Sequence, residues 1–249
     1  MTTADGGEAA RAVSATAALV GIATQRLLRT LAEVGGDASA SLADSPSLLP
    51  GWSRGHVATH IARNADSFTW MLDGVVAGEQ REQYPGGPST RAAAIEAGST
   101  RASDALIADV ERSARRFAAA CSRVDADVWS RPVRPTAGEV PASQLVRSRL
   151  REVEVHHADL GLGYGPTDWM PDFVDTELPV HVADLAVRLP RGTALRLVAS
   201  DSGAAWEAGV GPASVTVAGP RSVILAWLLG RDVADRLDAP GGLPALTPW

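Results

Sequence analysis

The sequence contains no lysine: all 23 of its cationic side chains are arginine, set against 29 carboxylates, for a formal net charge of −6. No overall basic field is present to displace counterions from a phosphate backbone, which sets nucleic acid aside as a partner and favours small ligands. The lysine gap, alongside abundant alanine and glycine, reads as a high-GC coding bias, since no physical requirement excludes lysine. Cysteine is nearly missing as well. A lone Cys121 rules out an intramolecular disulfide framework and any multi-cysteine zinc or iron–sulfur site, and it suits a reducing, cytoplasmic compartment. Long apolar runs are absent too. Nothing reaches the ~18 apolar residues of a membrane span, and MTTADGGEAARAVSATAALVG has no basic stretch ahead of its apolar part, so neither secretion nor membrane insertion is expected. Also missing are a GxSxG elbow, a P-loop and a GxGxxG in strand context, which removes the common hydrolase, nucleotide-triphosphatase and dinucleotide readings.

What is present is a chain of 249 residues, 45% hydrophobic, long enough to bury a core without metal or disulfide staples. A metal site in it would therefore serve function rather than folding. Apolar residues recur at helical spacing from about Glu8 to Val34, and Gly35-Gly36 closes the run. Pro46, Pro50 and Gly51 mark a loop, after which Ser53 is placed to cap a second helix from Arg54 to about Ala77. A third helix is expected from Thr90 to Arg123 and a fourth from Ser143 to Leu160. Four such helices read as a bundle over residues 1–163. Beyond GLGYGPTDWMP the pattern changes. Phe173 to Leu189 is a helix candidate interrupted by Pro179, the runs ALRLVAS, AAWEAGV and SVTVAGP are strand-like, and Arg221 to Leu229 is a last helix meeting Gly230. The fold class expected is α+β: a four-helix bundle followed by a small α+β domain over residues 164–249, with no internal repeat. The seven tryptophans, from Trp52 to Trp249, are scattered and read mostly as core or domain-contact residues.

Four of the five histidines fall in two tight clusters. In REVEVHHADLG, Glu152 and His156 are four apart and project from one helix face, so they can share a ligand. In GHVATHIARN, His60 lies beside Val57, Ile61 and Phe68 and so faces the bundle interior or its margin. One such histidine with the Glu/His pair would make an N₂O set with an open position, as a zinc or similar divalent site needs. His56, four residues before His60, competes for the role but ranks second to His60, while a solvated Glu/His pair and a satisfied core histidine remain the plain readings of the same spacing. His157 points about 100° away from His156, and His181, with no His or Cys nearby in sequence, reads as structural. Cys121 has no sequence-adjacent histidine and no helix N-terminus to lower its pKa, so it reads as structural too.

Three separated stretches, LLPGWSRGHVATHIARNADSF, REVEVHHADLG and VAGPRSVILAWLLGRD, together resemble the mycothiol-dependent maleylpyruvate isomerase family, whose first domain is a DinB-like four-helix bundle. The resemblance covers nearly the whole chain. It implies that His60, Glu152 and His156 are the ligands of a divalent ion, usually zinc. It further implies that Arg231 of LLGRD is the second-domain arginine acting at the active site, and that Asp159 of DLG orients a ligand or the substrate. The cofactors implied are the metal and mycothiol, and the partners are a small-molecule substrate and that low-molecular-weight thiol. The chemistry implied is addition of the thiolate to the conjugated double bond of maleylpyruvate, rotation about the resulting single bond, and expulsion of the thiolate to leave fumarylpyruvate. Two other readings stay open: permanent S-transfer to an electrophile, and a non-catalytic metal- or ligand-binding module.

Overall fold

The computed structural model describes residues 3–35 and 41–247. The chain divides into two compact units, the first ending at Tyr164 and the second beginning at Gly165.

The first unit is built on four long helices: α1 (Thr3–Gly35), α2 (Arg54–Ala77), α4 (Ser103–Cys121) and α5 (Ser143–Asp159), with a shorter α3 (Gly87–Ser99) between the second and third. Helix α2 packs on α4 and α5, and α1 packs on the same two, so the four close into a ring around one core. Leu27, Leu31, Val57, Ile61, Leu106, Val110, Leu145, Val146 and Val153 fill that core and are essentially inaccessible to water. Their recurrence at helical spacing is what drives each amphipathic stretch to fold against its neighbours. A two-residue ladder, β1 (Pro132–Val133) with β2 (Val140–Pro141), closes the loop ahead of α5.

The helix expected over Thr90 to Arg123 is two helices, interrupted at residues 100–102. Close backbone approach explains the break. A Cβ on Gly55 would lie 2.1 Å from the carbonyl oxygen of Ser99, and one on Gly98 would lie 2.5 Å from Thr59, so the end of α3 is pressed onto α2. The weak helix formers Gly98, Ser99 and Thr100 end the helix there, and Ser103 Oγ accepts from the Leu42 amide as α4 begins. The first helix starts at Thr3, earlier than expected, and Gly36 lies outside the described residues.

The second unit holds α6 (Pro171–Ala183), α7 (Leu185–Arg188), β3 (Leu195–Ala199), β4 (Ala205–Ala208), β5 (Val215–Gly219) and α8 (Arg221–Leu228). The sheet order is β4-β3-β5, with β3 antiparallel to β4 and parallel to β5, and Leu197 stands opposite both Trp206 and Val217. Helix α6 packs against α8. Pro179 does not interrupt α6, which ends only at Asp184. The proline sits on the exposed side, where water can serve the carbonyl it leaves unpaired, while Phe173, Val174 and Leu178 anchor the buried side. Gly230 takes φ +77° just past α8, the left-handed turn that ends a helix at little cost only in glycine. Trp129, Trp169 and Trp227 are buried, Trp70 is 42% exposed beneath the guanidinium of Arg81, and Trp249 lies outside the described residues. Among the described residues no helix is long and apolar enough to cross a membrane.

Candidate metal centre

Helix α2 starts in a capping box. Ser53 Oγ accepts from the His56 amide, and His56 Nδ1 accepts in turn from the Ser53 amide, which satisfies two of the helix's orphan donors. His56 is thereby committed at Nδ1, and its Nε2 faces Glu96 at 3.1 Å. One turn further on, His60 points inward with 5% side-chain exposure. The N-terminus of α2 is stapled to the C-terminus of α5, since Arg54 donates to the carbonyls of Leu160 and Gly161 and the Leu48 amide donates to that of Asp159. Arg149, fully buried on α5, donates from Nη1 to the Ile61 carbonyl and Asn64 Oδ1 of α2. These ties bring His60 opposite Glu152 and His156.

His60 Nε2 lies 2.9 Å from Glu152 Oε2 and 3.0 Å from His156 Nε2, and the latter two lie 3.4 Å apart. Ligands about 2.0–2.2 Å from one zinc ion stand roughly 3–3.5 Å from one another, so the separations and the N₂O donor set both fit a divalent ion. Among the described residues these three form the one convergent group of metal-binding side chains. Glu152 and His156 keep 22% and 15% side-chain exposure, so the cluster opens to solvent on one side. That leaves room for a fourth, exchangeable ligand.

Asp159, itself 1% exposed, accepts from His156 Nδ1 at 2.8 Å, which turns the Nε2 lone pair toward the cluster. The electrostatics follow from this crowding. Burial pushes His60 down to about 4, with the charge of His156 adding to the effect. Burial also opposes charge on His156, but hydrogen bonds with Asp159 and Glu152 outweigh it and hold His156 above its ordinary value. Glu152 is likewise held well below the carboxylate range, burial being outweighed by hydrogen bonds from His156 and His60.

A model of the mycothiol maleylpyruvate isomerase N-terminal domain matches residues 8–161. The chain belongs to the mycothiol maleylpyruvate isomerase family. Two solved structures, of the mycothiol-dependent maleylpyruvate isomerase and of a histidine-to-alanine variant of it, are each 28% identical to this chain with a TM-score of 0.84. Both alignments cover 95% of this chain and 97% of the other, so the likeness extends through the second unit. No curated protein sequence matches.

The remaining residues singled out in the sequence are each described within their own unit of this family member. His157 faces α1, within hydrogen-bond distance of Thr30 Oγ1 at 2.8 Å and with its ring stacked on Tyr164. Cys121 ends α4, and burial pushes its thiol up to about 12. His181 is buried in the second unit, 3.6 Å from Glu177. Arg231, also in that unit, donates from Nη1 to the Leu229 carbonyl at 2.6 Å. Two neighbours of His60 escaped the sequence reading. Trp52 meets its ring edge-on at 5.6 Å between centroids, and Arg91 of α3 places Nη2 3.1 Å from its Nδ1. For Trp52 a signal existed, eight residues before His60. For Arg91 none did, because α3 was read as part of a longer helix.

Proposed function

We propose that this chain is a metal- and mycothiol-dependent isomerase that converts maleylpyruvate to fumarylpyruvate. The observation carrying the proposal is the half-open cluster of His60, Glu152 and His156, in a chain alike over both units to an enzyme of that name. A divalent ion held there supplies the positive charge that keeps a coordinated thiol deprotonated. Asp159 fixes the tautomer of His156, Arg149 locks α5 to α2, and Glu152 stays ionised without needing the ion to make it so. The one cysteine of the sequence, Cys121, is held as a thiol by burial, so the reacting sulfur is assigned to the cofactor. A reducing cytoplasm, where such a thiol persists, is the compartment proposed.

Arg231 is proposed as the partner of a substrate carboxylate, for which a planar guanidinium suits bidentate contact. Its hydrogen bond to Leu229 also suits a purely structural role at the end of α8, and kinetics separates the two. Arg231→Ala is expected to lower kcat/KM by about 1.5–3 kcal/mol with metal content and Tm unchanged. An earlier melting point with kcat/KM kept in the folded protein would assign the residue to the helix end.

The decisive experiment supplies maleylpyruvate and mycothiol to the zinc-loaded protein and measures fumarylpyruvate and free thiol. Turnover with the thiol recovered is expected. A stable thioether with thiol consumed would make the chain an S-transferase, and no thiol-dependent reaction at all would leave it a binding module.

A further inference from the structure

Both ring nitrogens of His60 are engaged. Nε2 faces Glu152 and His156, while Nδ1 lies 3.1 Å from Nη2 of Arg91. A guanidinium carries five N–H donors and no acceptor, so the nitrogen it meets must offer a lone pair. A neutral imidazole has one lone pair and one N–H. With the lone pair at Nδ1, the proton sits on Nε2 and is donated to Glu152 Oε2 at 2.9 Å. Ligation through Nε2 requires the opposite tautomer, with the proton on Nδ1, and two donors would then face each other across the Arg91 contact.

His156 shows the contrary arrangement. Its Nδ1 meets a carboxylate, Asp159, which accepts a proton and leaves the Nε2 lone pair ready. One histidine of the cluster is therefore set for an ion while the other is held against it. Arg91 has an alternative place. It lines a cavity of about 230 Å³ with Arg63, Ser67, Trp70 and Tyr84, and its guanidinium carbon already lies 5.5 Å from the Tyr84 ring centroid.

We propose that Arg91 is a substrate-binding residue whose contact with His60 and the ligation of an ion by His60 exclude each other. Loading the ion releases the guanidinium into the cavity lined by Tyr84 and Trp70, where it meets a carboxylate of the entering substrate. The inference rests on the metal-centre reading above. Because coupling is reciprocal, a carboxylate that draws Arg91 into the cavity tightens ion binding by the same factor.

Zinc affinity, measured by competition with a chromophoric chelator, tests this without recourse to activity. Arg91→Gln offers an amide oxygen to Nδ1–H and is expected to bind zinc about ten- to a hundredfold more tightly than the wild type, with Arg91→Ala gaining less. In the metal-free wild type, ¹⁵N spectra of His60 are expected to show a protonated Nε2 and a bare Nδ1, reversing when zinc is added. In the zinc-loaded enzyme, Arg91→Ala is expected to raise KM for the substrate about tenfold with kcat retained. Zinc affinities unchanged by both substitutions, a metal-free His60 already protonated at Nδ1, or an unchanged KM would overturn the proposal. Wild-type protein that binds zinc through His60 while Arg91→Gln changes nothing sinks the Arg91 inference alone; wild-type protein that binds no zinc sinks it together with the metal centre.

Discussion

Residues 152–159 of α5 read EVEVHHAD and residues 177–184, along and just past α6, read ELPVHVAD, with Glu, Val-His and Ala-Asp at the same places. On α5, His156 stands 3.4 Å from Glu152 and 2.8 Å from Asp159. On α6, His181 stands 3.6 Å from Glu177, and the matching Asp184 is exposed at the helix end. The larger difference lies outside the octapeptides. Helix α2 sends His60 into the α5 pair, and the Glu152 and His156 side chains keep 22% and 15% of their exposure, against 1% and 5% for Glu177 and His181. The closed pair has no room for an incoming ligand; the open one has both a third donor and a free side. A Glu and a His four apart therefore do not by themselves make a metal site. Convergence from a second helix, and access, decide it.

The comparison breaks most sharply at His60. His60→Ala reduces the α5 cluster to what α6 already is, and zinc affinity should fall at least about a thousandfold, the share of one ligand in a structural zinc's binding free energy. His181→Ala should leave about one zinc per chain. Full metal content in His60→Ala, by elemental analysis, would show that the octapeptide alone suffices. The next largest effect separates the two aspartates. Asp159→Asn should weaken zinc about ten- to a hundredfold by loosening the orientation of His156, whereas Asp184→Asn should change nothing measurable.

A third contrast inverts the ranking, because a closed pair serves the fold. Glu177→Ala removes a carboxylate with 1% side-chain exposure and should cost about 2–4 kcal/mol in urea unfolding. In metal-free protein Glu152→Ala should cost only about 1–2 kcal/mol, since solvent reaches the vacated site. Equal losses would mean that both pairs are structural.

The helices could be read from the sequence wherever apolar spacing and punctuation agreed. Ser53, with two prolines before it, placed the start of α2 at Arg54, and the strand-like runs of the second unit fell on β3, β4 and β5. The break between α3 and α4 was illegible because its cause is tertiary: Gly55 and Gly98 matter only once α3 lies on α2. Pro179 misled for the opposite reason, a local rule losing to buried neighbours on the far side of the helix. In the site, Glu152 and His156 were visible as a pair, but the same logic passed over Glu177 four residues before His181. The apolar neighbours of His60 already favour it over His56, and the capping box adds the reason His56 is occupied, whereas the Arg91 contact depends on where α3 turns. Spacing along one helix is written in the sequence; what a second helix brings opposite it is not.

The smallest effect is in the acid response of the metal-free protein, and it asks whether His60 is as enclosed as the comparison requires. Burial, with His156 adding to it, pushes His60 down to about 4 from 6.5. Between those values the unfolded chain takes up a proton that folded His60 refuses, so stability falls as pH drops through that window. His156 has the opposite sign. Although burial opposes its charge, Asp159 and Glu152 raise it, so its stabilisation is fully present below 6.5 and is lost only as pH rises through the folded value. Glu152, whose depressed carboxyl stabilises the fold above 4.5, loses that contribution only in stronger acid. Of the three, His60 alone weakens the fold between 6.5 and 4.5. His60→Ala should therefore flatten the loss of stability between pH 6.5 and 4.5 by roughly 1–2 kcal/mol, read from urea midpoints of chelator-treated protein. Parallel profiles for wild type and variant would mean that protons reach His60 freely in the folded state, and that the third donor is no better enclosed than the open side of the cluster.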